Sequence, residues 1–326
     1  MINVEDVPGL KRDLQMVNMH MEHLCRSNNR YIQEMLNWVL RQRGKQIRPI
    51  LTLLCARLKG RAADATEIAA VVELCHTASL IHDDVIDEAD TRRGQLSVQK
   101  KFGKEMAIYA GDYIIFSAIQ KNELRNRSRY GRVFGKLEAM FDGEINQFVY
   151  RYNTEITEEI YLENIRGKTS ALFCIACEAG ACAGKCDENE MLAVEQFAEK
   201  FGLMFQLRDD LLDFVSTEEL SKKTIHNDFW CGYYTLPVIH AFSDADNGAR
   251  LKEIAGNIKN GLQDEDTDKR ITELIRGSNG FQYTLTEIDR YASEAKRSLA
   301  VFPGSAARKK LLNLVDSLQA SAHGTV

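Results

Sequence analysis

Only 4 prolines interrupt a chain of 326 residues, so long helices meet little covalent obstruction. Pro49 and Pro237 stand where a helix could begin, a place proline tolerates. No run of eighteen apolar residues occurs, which excludes an ordinary membrane-spanning helix. Residues 1–13 lack the apolar core of a signal peptide, so a cytoplasmic, soluble protein is the expectation. Basic residues are outnumbered, 42 against 47 acidic, for a formal net charge of −5. That balance lacks the broad basic surface of a nucleic-acid binder, so no nucleic-acid partner is expected. Strand-like alternation is absent, which makes the fold class all-α. No repeat, low-complexity run or linker divides the chain, and one domain over residues 1–326 is expected.

The 8 cysteines are scattered through apolar helical segments, the usage of reduced, buried thiols. Cys174, Cys177, Cys182 and Cys186 brush against metal-binding spacings. They lie, however, in a small-residue helix without the turn glycines that shape a metal knuckle, so packing is the preferred reading over a zinc or iron–sulfur site.

What is present centres on Glu73–Gly94, ELCHTASLIHDDVIDEADTRRG. It begins as an apolar helix face and ends in a burst of charge. Asp83 and Asp87 are four apart, so on a helix both carboxylates share one face, with Asp84 turned about 100° away. Two acids so placed need something positive between them. A hard divalent ion such as Mg²⁺ suits all-oxygen ligands when a phosphorylated substrate completes the shell. Arg92 and Arg93 follow, two fork-shaped cations suited to phosphate oxygens. Downstream, Asp209, Asp210 and Asp213 repeat the Asp-Asp-x-x-Asp spacing inside another apolar helix. A solvated helix end would explain one such cluster; a pair, each with basic residues after it, points to a diphosphate site.

Further motifs stand in order along the chain: Gly44-Lys45-Gln46-Ile47-Arg48-Pro49, His76 seven residues before Asp83, Arg92-Arg93-Gly94, Gly111-Asp112, Lys168-Thr169, Gln206 and Thr235-Leu236-Pro237. This ordered set resembles the trans-isoprenyl diphosphate synthases, the all-helical head-to-tail prenyltransferases. The resemblance covers most of the chain and implies a bundle of about a dozen helices around a central substrate cavity. It implies Asp83, Asp87 and Asp209 as ligands of roughly two or three Mg²⁺ ions, with Asp84, Asp210 and Asp213 in support. Arg92, Lys168 and Lys223 would grip an allylic diphosphate, while Lys45, Arg48, His76 and Arg93 would form a separate pocket for isopentenyl diphosphate. Thr169, Gln206 and the carbonyl near Lys168 would stabilise the allylic cation. His76 is otherwise a satisfied core histidine, and Lys45 with Arg48 otherwise a solvated basic pair. A homodimer is implied, with apolar faces of residues 105–150 as the interface, and the product would pass to a membrane.

The chain departs from the family pattern after Asp213. Lys223 falls on the expected lysine, but Lys222 and His226 replace glycines, and Tyr233 replaces a second lysine. Elsewhere, Phe134, Leu137, Met140, Phe141, Ile145 and Phe148 recur at helical steps and read mostly as core. Residues 250–276 and 282–321 read as amphipathic closing layers, with Pro303-Gly304 marking a turn between the last two segments. Gln147 reads as a partly exposed amide, and Lys168 in its apolar stretch demands either the surface or an anionic partner.

Upstream of Asp83, Val71, Val72, Cys75, Ala78 and Ser79 offer small side chains that could line a groove leading from the metal site. The family stops chain growth with bulky residues four or five places before the first aspartate; here those places hold Ser79 and Ala78. The expected product is therefore longer than C20, in the hexaprenyl-to-octaprenyl (C30–C40) range of quinone side chains. Three rivals remain: a short-chain (C15 or C20) synthase, a poorly active subunit of a heteromeric synthase, and a terpene cyclase, which has no use for Lys45, Arg48 and Arg93. If the groove runs along this face, Ala78→Phe shortens the product, as mass analysis of the lipid extract would register; an unchanged product distribution would refute the groove.

Overall fold

The computed structural model describes residues 5–60, 63–215, 227–262 and 266–325, with the backbone alone described for 121–134. Lys222, Lys223 and His226 lie outside the described residues. The elements run α1 (Leu10–Leu24), α2 (Arg30–Arg41), α3 (Ile47–Cys55), α4 (Thr66–Ile86), a two-stranded hairpin β1 (Thr91–Arg92) and β2 (Gln95–Leu96), α5 (Val98–Phe102), α6 (Lys104–Phe134), α7 (Leu137–Val149) and α8 (Glu158–Ile165). A π-helical turn, Arg166–Ser170, leads into α9 (Ala171–Ala183) and α10 (Glu188–Val215). Helices Asn227–Trp230, Leu236–Phe242, Gly248–Lys259, Thr267–Gly277, Gly280–Ser298 and Ala306–His323 follow. The fold is all-α, as the lack of alternation implies, and the hairpin is its one paired-strand element among the described residues.

Several boundaries follow from cap chemistry. Asn29 accepts from the Tyr31 and Ile32 amides to start α2, and Thr157 accepts from the Ile160 amide to start α8. Asp187 and Glu190 form a reciprocal capping box before α10, at 2.8 and 3.0 Å. The closing segments 250–276 and 282–321 hold four helices: the gap at Asn279 and the turn at Pro303-Gly304 fall where expected, while the break at Gly261, whose φ is 74°, is additional.

The chain divides into two compact units. The first comprises Met1–Gly135, Ile175–Glu195 and Val301–Leu311; the second comprises Lys136–Cys174, Gln196–Ala300 and Leu312–Val326. In the first, α4 is the central helix, packed by α1, α3 and α6. All of Ile68–Cys75 is buried, the burial of a helix that is apolar all round. That burial fixes the helix and so aims the aspartates at its end. In the second, α7 packs on the π turn and α8, and Leu236–Phe242 packs on Gly280–Ser298.

One core assignment is corrected. Phe141, Ile145 and Phe148 are 51%, 60% and 58% exposed, whereas Met140 and Gly143 on the other side of α7 are buried. Helical periodicity identifies residues that share a face, but α7 has two apolar faces and packing covers only one.

Gly180 on α9 explains the small-residue stretch that includes the cysteines. A Cβ there would lie 2.1 Å from the Thr52 carbonyl oxygen of α3. The two backbones meet too closely for any side chain. Gly180→Ala should therefore lower the melting temperature by about 5 °C, despite alanine's higher helix propensity, because overpacking costs about 1–3 kcal/mol. A thermal melt showing equal or higher stability would contradict this contact.

Candidate active site

The first unit holds one cluster. The last turn of α4 carries Asp83, and Asp87 caps that helix with its amide bonded to the Asp83 carbonyl at 2.8 Å. Both carboxylates therefore share a face; Asp83 is half-buried and Asp87 exposed. Asp84 turns inward and is only 2% exposed. It accepts from Arg92 Nε at 2.8 Å and from a second nitrogen of the same guanidinium. Burial raises its pKa and Arg92 opposes the rise. Asp84 thus anchors Arg92, while Asp83 and Asp87 share the face turned away from it.

After Asp87 the helix stops at Glu88, whose φ of 53° is left-handed. The hairpin turn that follows places Arg93 and Gly94 at φ of 52° and 78°, the two positive values of a type I′ turn. This tight turn sends Arg93 back toward the segment before α3. Its Nη1 donates to the Gln42 carbonyl at 2.5 Å. A Cβ on Gly44 would come within 2.5 Å of that guanidinium, so the glycine of the Gly44-Lys45 motif is the space in which Arg93 lies. It does not close α2, which ends at Arg41.

Around His76 the electrostatics converge. Burial, then Arg48, Arg93 and Arg92, hold its pKa well below the ordinary histidine value. A neutral imidazole among three guanidinium groups is the result. Glu73, one turn earlier and 4% exposed, is pushed by burial up to about 7 against the pull of Arg48 and Arg93. Lys45 is exposed nearby in sequence, at the entry to α3. Arg48, His76, Arg92 and Arg93, separated by up to 45 residues, are thus coupled in one corner suited to a diphosphate.

The second unit holds another cluster. A Cβ on Gly143 of α7 would sit 2.3 Å from the Lys168 amide nitrogen, so this glycine lets the π turn press against α7. Lys168 Nζ then reaches Glu144 at 2.9 Å and Gln147 at 2.7 Å. The anionic partner demanded by the sequence is supplied here by Glu144, and Gln147 is an acceptor rather than a bystander. Thr169 donates to Gln206 Oε1 at 2.6 Å, and Gln206 Nε2 donates to Asp210 Oδ1 at 2.8 Å. Tyr161 bonds the other oxygen of Asp210. Asp210 is 2% exposed, and burial pushes its pKa up to about 8. Asp209 and Asp213 lie on the half-buried side of α10; Asp209 meets Arg208 at 2.7 Å and Asp213 accepts from the Asp228 amide at 3.1 Å.

Asp83 and Asp87 thus belong to the first unit and Asp209 to the second. Of the groove residues, Val72, Cys75 and Ala78 are buried, and Ser79 donates to the His76 carbonyl at 2.9 Å. Tyr233, which replaces a family lysine, has the Arg151 guanidinium 5.2 Å from its ring centre. Sequence reasoning passed over Glu73, Glu144 and Tyr161. An acid within the apolar run of α4 signals a buried partner, and Glu144 stands one turn from Gln147; nothing in the sequence marks Tyr161.

Comparison with known proteins adds relatives. The polyprenyl synthetase family model matches residues 29–275. The chain is 31% identical over 304 residues to heptaprenyl diphosphate synthase component 2 of Bacillus subtilis (strain 168), covering 93% of this chain and 86% of that one. It is 34% identical over 289 residues to the short chain isoprenyl diphosphate synthase of Methanothermobacter thermautotrophicus, covering 86% and 87%. Among solved structures, the polyprenyl synthase from Caulobacter crescentus CB15, complexed with calcium and isoprenyl diphosphate, superposes with a TM-score of 0.86 at 31% identity over 95% of each chain.

The buried Glu73 generates a pH signature. Its carboxyl keeps its proton up to about 7 in the folded chain, against 4.5 as the ordinary value. Its contribution to stability is therefore complete below the unfolded value and disappears as pH rises through the folded one. Glu73→Gln cannot ionise, so its stability relative to wild type should climb from about pH 5 to about pH 8 by about 1–3 kcal/mol. Thermal melts across that range check the slope, and a flat difference would mean that Glu73 titrates normally. Motif order, an all-helical fold and a family model matching most of the chain place this protein in the polyprenyl synthetase family, as a prenyltransferase that makes prenyl diphosphates.

Proposed function

We propose that this chain is an all-trans polyprenyl diphosphate synthase that joins isopentenyl diphosphate head to tail to an allylic diphosphate, farnesyl or geranylgeranyl. The observation that carries this reading is the corner of Arg48, His76 and Arg93, coupled to one another beside Arg92 and the acid face of Asp83 and Asp87. An enzyme that ionises a single diphosphate has no use for that second set of cations. Residues 1–326 would act as one catalytic domain in the cytoplasm and pass the product to a membrane.

The donor set fits Mg²⁺. Asp83 with Asp87, and Asp209 with Asp213, are all-oxygen pairs one helical turn apart. Among the described residues no group of three or more such ligands forms, so substrate phosphate oxygens would have to complete the shell of an ion held there. Bound there, Mg²⁺ would supply positive charge opposite the negative charge that develops on a departing diphosphate. Arg92, Lys168 and Lys223 hold the allylic diphosphate, and Lys45, Arg48, His76 and Arg93 hold isopentenyl diphosphate. With its pKa depressed, His76 contributes a hydrogen bond rather than a charge. Thr169 and Gln206, with the Lys168 carbonyl, face the allylic cation as fixed dipoles. The double bond of isopentenyl diphosphate attacks the cation, and the released diphosphate removes the proton. The relative bound to calcium and isoprenyl diphosphate supports a divalent ion and a diphosphate in such a fold.

Small side chains at Ala78 and Ser79 support a product longer than C20, in the C30–C40 range. Of the relatives, one is named for a heptaprenyl product, inside that range, and another for short-chain products, below it. Exposed apolar residues support a homodimer: Phe141, Ile145, Phe148 and Val149 on α7, and Tyr109 and Phe116 on α6. A second reading, as the subunit of a heteromeric synthase, is favoured by the relative named as component 2 and by Lys222, His226 and Tyr233. One experiment separates these. Purified chain with Mg²⁺, farnesyl diphosphate and labelled isopentenyl diphosphate should yield a C30–C40 lipid by mass analysis, yield nothing after chelation, and sediment at twice the chain mass. Product confined to C15 or C20 would select the short-chain rival. Activity gained only with a second, different subunit would select the heteromer, and activity independent of divalent ions would refute the metal assignment.

A further inference from the structure

Four buried or half-buried side chains of the second unit form a directional series of hydrogen bonds. The Thr169 hydroxyl donates to Gln206 Oε1 at 2.6 Å, and Gln206 Nε2 donates to Asp210 Oδ1 at 2.8 Å. The hydroxyl of Tyr161, a residue 4% exposed on α8, bonds Asp210 Oδ2. The direction of each bond is dictated by chemistry. An amide oxygen only accepts, so Thr169 must be the donor to it. The Gln206 nitrogen donates to Asp210 Oδ1, which leaves the amide oxygen facing Thr169. By occupying Oδ2, Tyr161 holds the carboxylate with Oδ1 toward Gln206. Thr169 commits its only hydroxyl proton to Gln206, so toward any other neighbour it presents lone pairs, the negative end of its dipole.

We propose that Tyr161 is a positioning residue for catalysis: by holding Asp210 it orients the Gln206 amide and so turns the Thr169 lone pairs toward the allylic cation. This rests on the synthase reading given above. Tyr161 touches neither diphosphate in this scheme, so its influence falls on the cation-forming step and not on substrate binding. Partners that orient a primary group typically alter activity about 10–100-fold when removed.

The test is a double-mutant cycle with the full chain, farnesyl diphosphate, isopentenyl diphosphate and Mg²⁺. Tyr161→Phe should lower kcat about tenfold and leave KM for both substrates within about twofold. In a Thr169→Val background, which has no hydroxyl to orient, the same substitution should change kcat by less than about twofold. Equal losses in both backgrounds, or a rise in KM in place of a fall in kcat, would overturn the proposal, since a merely structural role acts regardless of residue 169. A measurement on wild type needs no variant to fold: with labelled tyrosine, one slowly exchanging, low-field hydroxyl proton should be seen by NMR and assigned to Tyr161, and its absence would also overturn the proposal. A wild-type chain that turns over neither diphosphate would sink the synthase reading and this role together, whereas an active wild type with additive variants sinks the positioning role alone.

Discussion

In each aspartate motif the second acid points into the protein, and the rest of the site follows from how that charge is satisfied. Asp84 and Asp210 are both 2% exposed. A buried carboxylate without partners costs several kcal/mol, so each recruits them: Arg92 for Asp84, Tyr161 and Gln206 for Asp210. The 100° helical step does the sorting. It sends the first and last acids of each motif to one side and the middle one to the interior.

Close backbone approach supplies the second constraint. Gly44 leaves room for the Arg93 guanidinium, and Gly143 lets the π turn bring Lys168 to Glu144 and Gln147. π turns within helices frequently mark functional sites, because the extra residue re-aims neighbouring side chains. Here it aims Lys168 at α7 and Thr169 at α10. The charges in the first unit are likewise arranged by packing: burial, and after it three arginines, depress His76, and Glu73 sits beside Arg48 and Arg93 as a buried counter-group.

Much of this was legible in the residues. Helix class, the capping box at Asp187 and Glu190, the shared face of Asp83 and Asp87, and the family membership all follow from spacing and motif order. Other features were not. The exposed row Phe141, Ile145 and Phe148 looks like core because periodicity is blind to which face finds a neighbour. The break at Gly261 was passed over, although glycine is a common residue just past a helix end. Glu73 and Tyr161 escape notice because their meaning depends on residues far along the chain.

What the amino-acid sequence determined by itself is local: helical period, cap residues and the order of charged motifs, since these depend on neighbours within about one helical turn. Tertiary structure alone decided which acid of each motif is buried, which glycine accommodates Arg93, and how Thr169, Gln206, Asp210 and Tyr161 bond in series. The Thr169–Gln206 and Tyr161–Asp210 bonds join residues 37 and 49 positions apart, and Arg93 reaches the Gln42 carbonyl across 51. Their physical origin is desolvation, which acts only once packing has removed water, and no spacing rule encodes it.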